Sequence, residues 1–141
     1  MSNSFYFGAL KLPINKDVNM SSDKIKLPLD LSYLYEISDH DREFIYEMIM
    51  TIVKNTPEMI DEIEKEGKAE NWYAVGRLMH KLKPSLLLLN IENLSAHIRE
   101  LESNAKAPKN IELIPGQIAE LRAFCDLILD ELNKLIESDQ F

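Results

Sequence analysis

The sequence predicts an all-α protein: an up-and-down four-helix bundle with a short preceding helix and a flexible N-terminal extension. From Leu31 onward, apolar residues recur at the three-and-four spacing of amphipathic helices. No segment shows the alternation of β-branched residues that is typical of a strand. Because the breaks between helical stretches are short, antiparallel neighbours are favoured. The chain has 141 residues, 45% of them hydrophobic, which suits one core, and we expect a single bundle domain over residues 31–141.

Residues 1–30 follow neither a helical nor a strand period. They combine Gly8, Pro13 and Pro28 with several serine, asparagine and charged residues, which predicts the flexible extension. The apolar run at 5–10 has no charged leader before it and no clear cleavage site, so we expect no secretory signal. No segment approaches the roughly 18 to 20 apolar residues that span a bilayer. A cytoplasmic location is therefore expected.

The first elements are a short helix near Leu31 to Ile37 and a long helix that runs to about Glu66. Ser38, followed three residues later by Asp41, resembles an N-cap with acids in the first turn. Pro57 is expected to kink this helix or divide it in two, and Gly67 to end it. Its predicted core positions are Ile45, Met48, Ile49, Ile52, Met59, Ile60 and Ile63.

Three further helices complete the predicted bundle. The second begins within 69–72 and is broken by Asn90, a residue type that tolerates the left-handed conformation. A third helix follows it, and the fourth begins after Ala107 and Pro108. The core positions predicted for these helices are Val75, Leu78, Met79, Leu82, Leu86, Leu89, Ile91, Leu94, Ile98, Leu101, Ala105, Ile114, Ile118, Leu121, Cys125, Ile128, Leu132 and Leu135.

Net charge and cysteine content limit the classes of function. The formal charge of −8 repels nucleic-acid phosphates and anionic lipid, so neither is an expected partner. Cys125 is the only cysteine and occupies an apolar helical position. We therefore expect a small buried hydrophobic side chain, no intrachain disulfide and a reducing compartment.

One stretch of the second helix departs from the acidic character of the chain. No Asp or Glu lies between Glu70 and Glu92, and this window contains His80 together with three cations, Arg77, Lys81 and Lys83. An anion would be attracted here more than elsewhere on the chain. The alternative is a chance gap in the acids of a buried helix.

Helical phase places His80 on the open side of its helix. At about 100° per residue it points roughly 140° away from the apolar stripe, so the imidazole should face solvent. Gly76, one turn earlier, has no side chain to obstruct access, and Pro84, one turn later, removes the N–H that would bond the His80 carbonyl. The alternative interpretation of Pro84 is that the helix ends at Lys83.

Leu87 and Leu88 fall outside the core sector by the same phase, with Leu87 near the His80 face. Adjacent exposed leucines would form a docking surface on which a partner excludes water from the histidine. The alternative is that Pro84 alters the path of the helix and turns both leucines inward.

The order His80, Lys81, Leu82, Lys83, Pro84, Ser85, followed by Asn90 and Leu94, resembles the signature of histidine-phosphotransfer domains. The resemblance covers about residues 31–138. It implies that His80 is a phosphoacceptor and that Lys83 is the lysine that typically accompanies it. This chain departs from the family at Pro84 and Asn90, where glycine is usual, and at Leu87, where the family favours a small residue that leaves room for a receiver domain.

The resemblance also implies a mechanism and partners. A neutral imidazole nitrogen of His80 would attack phosphorus in line, with Lys83, Lys81 and Arg77 offsetting charge on the phosphoryl oxygens. The partners would be response-regulator receiver domains or a hybrid sensor histidine kinase, and the receiver would supply the magnesium ion. No cofactor of the chain's own is expected, and no nucleotide motif is present. We expect a free-standing monomeric carrier without ATP-dependent autokinase activity. The alternative is a docking bundle that binds a partner without phosphoryl exchange.

The remaining candidates have simpler interpretations. His97 is expected to be a partly exposed helix histidine without assigned chemistry, and His40 to lie beside capping acids. A metal site would need His40, His80 and His97 to converge without ligand pairs at helical spacing, so none is expected. Met48, Met50, Met59 and Met79 are interpreted as core residues.

Overall fold

A computed structural model describes residues 29–139, which form five α-helices and one 3-10 turn, without a strand in that range. The all-α bundle predicted from the sequence is therefore confirmed. None of the described helices combines the length and apolar character needed to cross a membrane. The elements are α1 (Ser32–Ile37), α2 (Arg42–Lys68), α3 (Trp72–Leu87), α4 (Glu92–Lys106), the 3-10 turn (Ile111–Leu113) and α5 (Ile114–Ser138).

The four long helices enclose one hydrophobic core. Helix α3 packs on α2 and α4, and α5 packs on the same two helices from the other side. Nearly all of the predicted core positions are buried, including Cys125, although Met48, Met59, Leu78, Ile91 and Leu135 are only half-buried. Met50 is exposed, so its interpretation as a core residue was wrong. Helix α1 contributes Leu34, which is fully buried.

The start of the bundle differs from the prediction in two details. Asp41, not Ser38, caps α2, because its side chain accepts a hydrogen bond from the Phe44 amide. Asp39 and His40 have positive φ angles, so the helix cannot begin before them. The predicted extension lies mostly outside the described residues, but Leu29 at its end packs on the core and Asp30 accepts a hydrogen bond from the Ser32 amide.

Of the two outcomes expected at Pro57, a kink or a division, the division does not occur, because α2 is one helix with Pro57 inside it. Gly67 does not end the helix either, because α2 continues to Lys68 and the left-handed residue is Glu70, with φ 57°. Gly67 instead allows a close approach to α5: an added Cβ would lie 2.6 Å from Ile118 Cδ1. Asn90 does take the predicted left-handed conformation, with φ 54°.

Candidate functional site

His80 lies in the third turn of α3 and points out of the bundle. Its side chain is 64% exposed, which confirms the orientation predicted from helical phase. The helix continues past Lys83 to Leu87 with Pro84 inside it, so the alternative of a helix end at Lys83 is wrong. Pro84 is exposed and has no N–H, so the His80 carbonyl lacks its usual donor one turn later.

A buried carboxylate from the neighbouring helix contacts the histidine. The Glu102 side chain on α4 is only 7% exposed, and its Oε2 lies 2.8 Å from His80 Nδ1. The same oxygen lies 3.0 Å from Lys106 Nζ, and the other oxygen, Oε1, lies 2.7 Å from Lys83 Nζ. We call His80, Lys83, Glu102 and Lys106 the His80 cluster.

The electrostatics of the cluster fix the role of the carboxylate. Burial alone would raise the pKa of Glu102, but hydrogen bonds from Lys83, Lys106 and His80 outweigh it and lower the pKa to about 2. Glu102 is therefore ionised at neutral pH and can only accept hydrogen bonds.

Because Glu102 only accepts, the proton between the two side chains belongs to His80 Nδ1. In the neutral ring the lone pair is then on Nε2. No protein hydrogen bond to Nε2 is found within residues 29–139, and the ring is largely exposed. When the ring is neutral, the cluster therefore presents an outward-facing nitrogen lone pair beside two lysine ammonium groups.

Gly76 has a different role from the one expected. It is buried and faces α4, where an added Cβ would lie 3.1 Å from Lys106 Cγ and 3.4 Å from the Lys106 amide nitrogen. The glycine does not form part of the open surface; it lets α3 and α4 approach closely. That close approach places Glu102 and Lys106 beside the histidine.

The end of α4 that bears Lys106 is held by a buried amide. Asn104 is 2% exposed, donates to the Gln117 side chain on α5 and accepts from Asn110. Its backbone carbonyl also accepts from the Lys109 amide. These bonds satisfy a buried polar side chain and anchor the connection that follows Lys106.

The three cations predicted from the sequence separate into two groups. Lys83 is only 26% exposed and belongs to the cluster. Lys81 and Arg77 are exposed, and neither forms an ion pair with an acid in the described part of the chain. The Arg77 guanidinium lies over the Tyr73 ring, 5.9 Å from its centroid. Lys106, which the sequence interpretation missed, is the second lysine that forms an ion pair with Glu102.

The two leucines expected to be exposed are both half-buried. Leu88 packs against the core and lines a groove of about 270 Å³ between α2 and α3, together with Phe44, Met48 and Ser85. Leu88 therefore turns inward, as the alternative interpretation of the sequence expected. The chain leaves the helix after Leu87. Leu87 is also partly covered, although it is absent from the residues that pack on the core.

The other two histidines have structural surroundings. His97 Nε2 donates to the Gln117 carbonyl at 2.7 Å, and its ring lies 5.6 Å from that of Phe124. His40 is exposed in the turn before α2, near the Tyr35 ring. Among residues 29–139, no group of three or more His, Cys, Asp or Glu side chains could hold a metal ion.

A cavity of about 710 Å³ lies apart from the cluster in the described part of the chain. It is lined by residues such as Gly67, Trp72, Pro115 and Ile118, and no histidine lines it. Its other lining residues include four charged side chains. Nothing in this composition resembles a catalytic constellation.

No family model, curated protein or solved structure matches this chain.

Glu102 and Lys106 were the functional residues missed by sequence reasoning. A signal for Glu102 was present, since it lies four residues after Ile98 and three before Ala105, within the buried sector of α4. An acid at such a position needs a buried cation or hydrogen-bond donor. The sequence does not say which residues provide it.

Proposed function

We propose that this chain is a phosphocarrier of a two-component phosphorelay in the cytoplasm. His80 accepts a phosphoryl group on Nε2 from the aspartyl phosphate of a receiver domain and passes it to another receiver. The observation that carries the proposal is the hydrogen bond from Nδ1 of this exposed histidine to buried Glu102, which leaves the Nε2 lone pair facing outward.

The chemistry follows from that tautomer. The Nε2 lone pair attacks phosphorus, the bond between phosphorus and the aspartyl oxygen breaks, and its electron pair returns to the receiver's carboxylate. The Nδ1 proton stays on the ring throughout, so the attack needs no separate base. The receiver supplies the magnesium ion and most of the positioning.

The local charge supports the same function. The two lysines at the carboxylate outnumber it, so the His80 cluster carries a net charge of about +1 on a chain whose net charge is −8. The positive charge of Lys83 and Lys106 offsets the negative charge of a phosphoryl group on the ring. Lys81 and Arg77 add positive potential from farther away.

An apolar groove on the α2 side of α3 supports a protein partner. Phe44, which is 46% exposed, lines this groove together with Met48 and Leu88. Exposed large apolar side chains are typical of a docking surface. A receiver that docks on this side of α3 would bury them.

The test is transfer from phosphorylated receiver domains of the organism that makes this chain, in the presence of magnesium. Intact mass should show the gain of one phosphoryl group that is labile in acid and stable in alkali, as expected for phosphohistidine. His80→Gln should abolish the gain, and His40→Gln, which removes another exposed histidine, should leave it unchanged. Receiver binding without any gain would overturn the carrier proposal and favour a docking bundle that does not exchange phosphoryl groups.

A further inference from the structure

The contact between Glu102 and His80 has a second consequence once the ring carries a phosphoryl group. Phosphorylation at Nε2 of a ring already protonated at Nδ1 gives a phosphoimidazolium. If it loses that proton, the later departure of the ring must produce an imidazolate anion, which is a very poor leaving group. If it keeps the proton, the ring departs as a neutral imidazole. The protonation state of Nδ1 therefore decides how readily the phosphoryl group moves on.

We propose that Glu102 holds the Nδ1 proton on phosphorylated His80, so that the phosphohistidine remains an imidazolium that is ready for onward transfer. This inference rests on the proposed function and adds to it a determinant of the transfer potential. Glu102 acts through the ring and is a positioning residue.

The onward step balances without another acid. A carboxylate oxygen of the acceptor attacks phosphorus, the bond between phosphorus and Nε2 breaks, and its electron pair returns to Nε2. The ring is left neutral with its proton on Nδ1, which restores the starting tautomer. No proton has to be supplied by solvent during either transfer.

Some of the charges around the ring favour the Nδ1 proton on phosphorylated His80, and others oppose it. Glu102 is the only acid that contacts the ring in the described residues, and its Oε2 is hydrogen-bonded directly to Nδ1 at 2.8 Å. Lys83 and Lys106 repel the positive charge of the phosphoimidazolium ring, but both lysines are already paired with the Glu102 carboxylate. Arg77 and Lys81 on α3 are exposed and therefore screened by solvent. The direct hydrogen bond to the buried Glu102 carboxylate outweighs these screened repulsions.

The test uses phosphoramidate, which phosphorylates histidine without a receiver, on the full chain and on Glu102→Gln. The ³¹P shift of phosphorylated His80 is followed against pH, with the signal assigned by its absence in His80→Gln. The titration midpoint should be at least about one pH unit higher in the unmodified chain, equivalent to a tenfold change in the proton equilibrium. Glu100→Gln, which removes an exposed acid from the same helix, should leave the midpoint unchanged.

Rates give an independent readout. At a pH above the midpoint of the Glu102→Gln variant, dephosphorylation of the unmodified chain should be about tenfold faster, and the two should converge at acidic pH. Because Glu102→Gln could also disturb folding, the unmodified phosphoprotein is titrated both native and in urea; the native midpoint should be higher. Equal midpoints in all of these comparisons would overturn the inference.

The outcomes also separate this inference from the proposed function. A raised midpoint without transfer from any receiver would support the role of Glu102 and overturn the carrier proposal. Transfer from a receiver with equal midpoints would do the opposite. If phosphoramidate labels His40 but not His80, the Nε2 lone pair is not available and both proposals fail.

Discussion

The buried carboxylate of Glu102 should make the stability of the protein depend on acid in a defined pH range. The reference pKa of 4.5 is lowered to about 2 in the folded protein despite the cost of burial, mainly by bonds from Lys83, Lys106 and His80. A shift of this size corresponds to about 3 kcal/mol. Because folding lowers the pKa, this contribution is complete above about pH 4.5 and is lost as the pH falls towards 2.

The perturbation is Glu102→Gln, which keeps the shape of the side chain and removes its titration. Urea unfolding of both proteins, followed by helical circular dichroism, gives the free energy of unfolding from pH 7 downward. The difference between them should shrink by about 2 kcal/mol as the pH falls from about 5.5 to 3.

Other acids titrate in both proteins and cancel in the difference, which isolates Glu102. Glu100→Gln is the matched control, because Glu100 is exposed on the same helix and outside the cluster. Its difference from the unmodified chain should stay within about 0.5 kcal/mol across the range, as for other exposed sites. A Glu102→Gln difference that is equally flat would refute the assignment of a buried, ionised carboxylate.

Four substitutions and one labelling experiment test the packing of the bundle. Gly116→Ala should raise the free energy of unfolding by up to about 1 kcal/mol, since nothing lies within 4 Å of the added Cβ. Gly76→Val should lower the free energy of unfolding by about 1 to 3 kcal/mol, because the methyl groups of valine meet Lys106. Melting temperatures of the two variants that move in the same direction would contradict this expectation. Phe124→Ala should lower the free energy of unfolding by about 3 to 5 kcal/mol, because Phe124 is only 1% exposed. Ile111→Ala should lower it by less than about 1 kcal/mol, because Ile111 is 45% exposed. Similar urea midpoints for the two variants would show that Phe124 is not a core residue. Burial raises the pKa of the Cys125 thiol to about 12, so a thiol reagent should modify it only at the rate of unfolding, and rapid labelling of native protein would refute its burial.

Helical phase was sufficient for the features that depend on a single helix. The core stripes and the outward direction of His80 follow from spacing along one element, and the structure confirms them. Asn90 was also predictable, because its left-handed conformation reflects a local preference of the residue type. Local preference failed where two neighbouring candidates competed, as at Ser38 and Asp41, since tertiary context decides which residue begins the helix.

Features that depend on how two helices pack against each other could not be predicted from the sequence. Gly76 lies one turn from His80 and so shares its side of α3, yet Gly76 is buried and His80 is exposed. The phase of α3 gives a direction relative to its own stripe, but it does not say how closely α4 covers that flank. The absence of acids between Glu70 and Glu92 was misleading for the same reason. In the folded protein, Glu102 on the next helix contacts both His80 and Lys83.

The distribution of exposure within the His80 cluster differs from that of an ordinary buried ion pair. A purely structural pair is expected to bury both partners or to be replaceable by apolar side chains. Here the carboxylate is 7% exposed, while its partners His80 and Lys106 are 64% and 52% exposed. The fold therefore hides the negative charge and presents donors and a nucleophilic nitrogen to the outside. Such an arrangement fits the proposed transfer of an anionic group to His80.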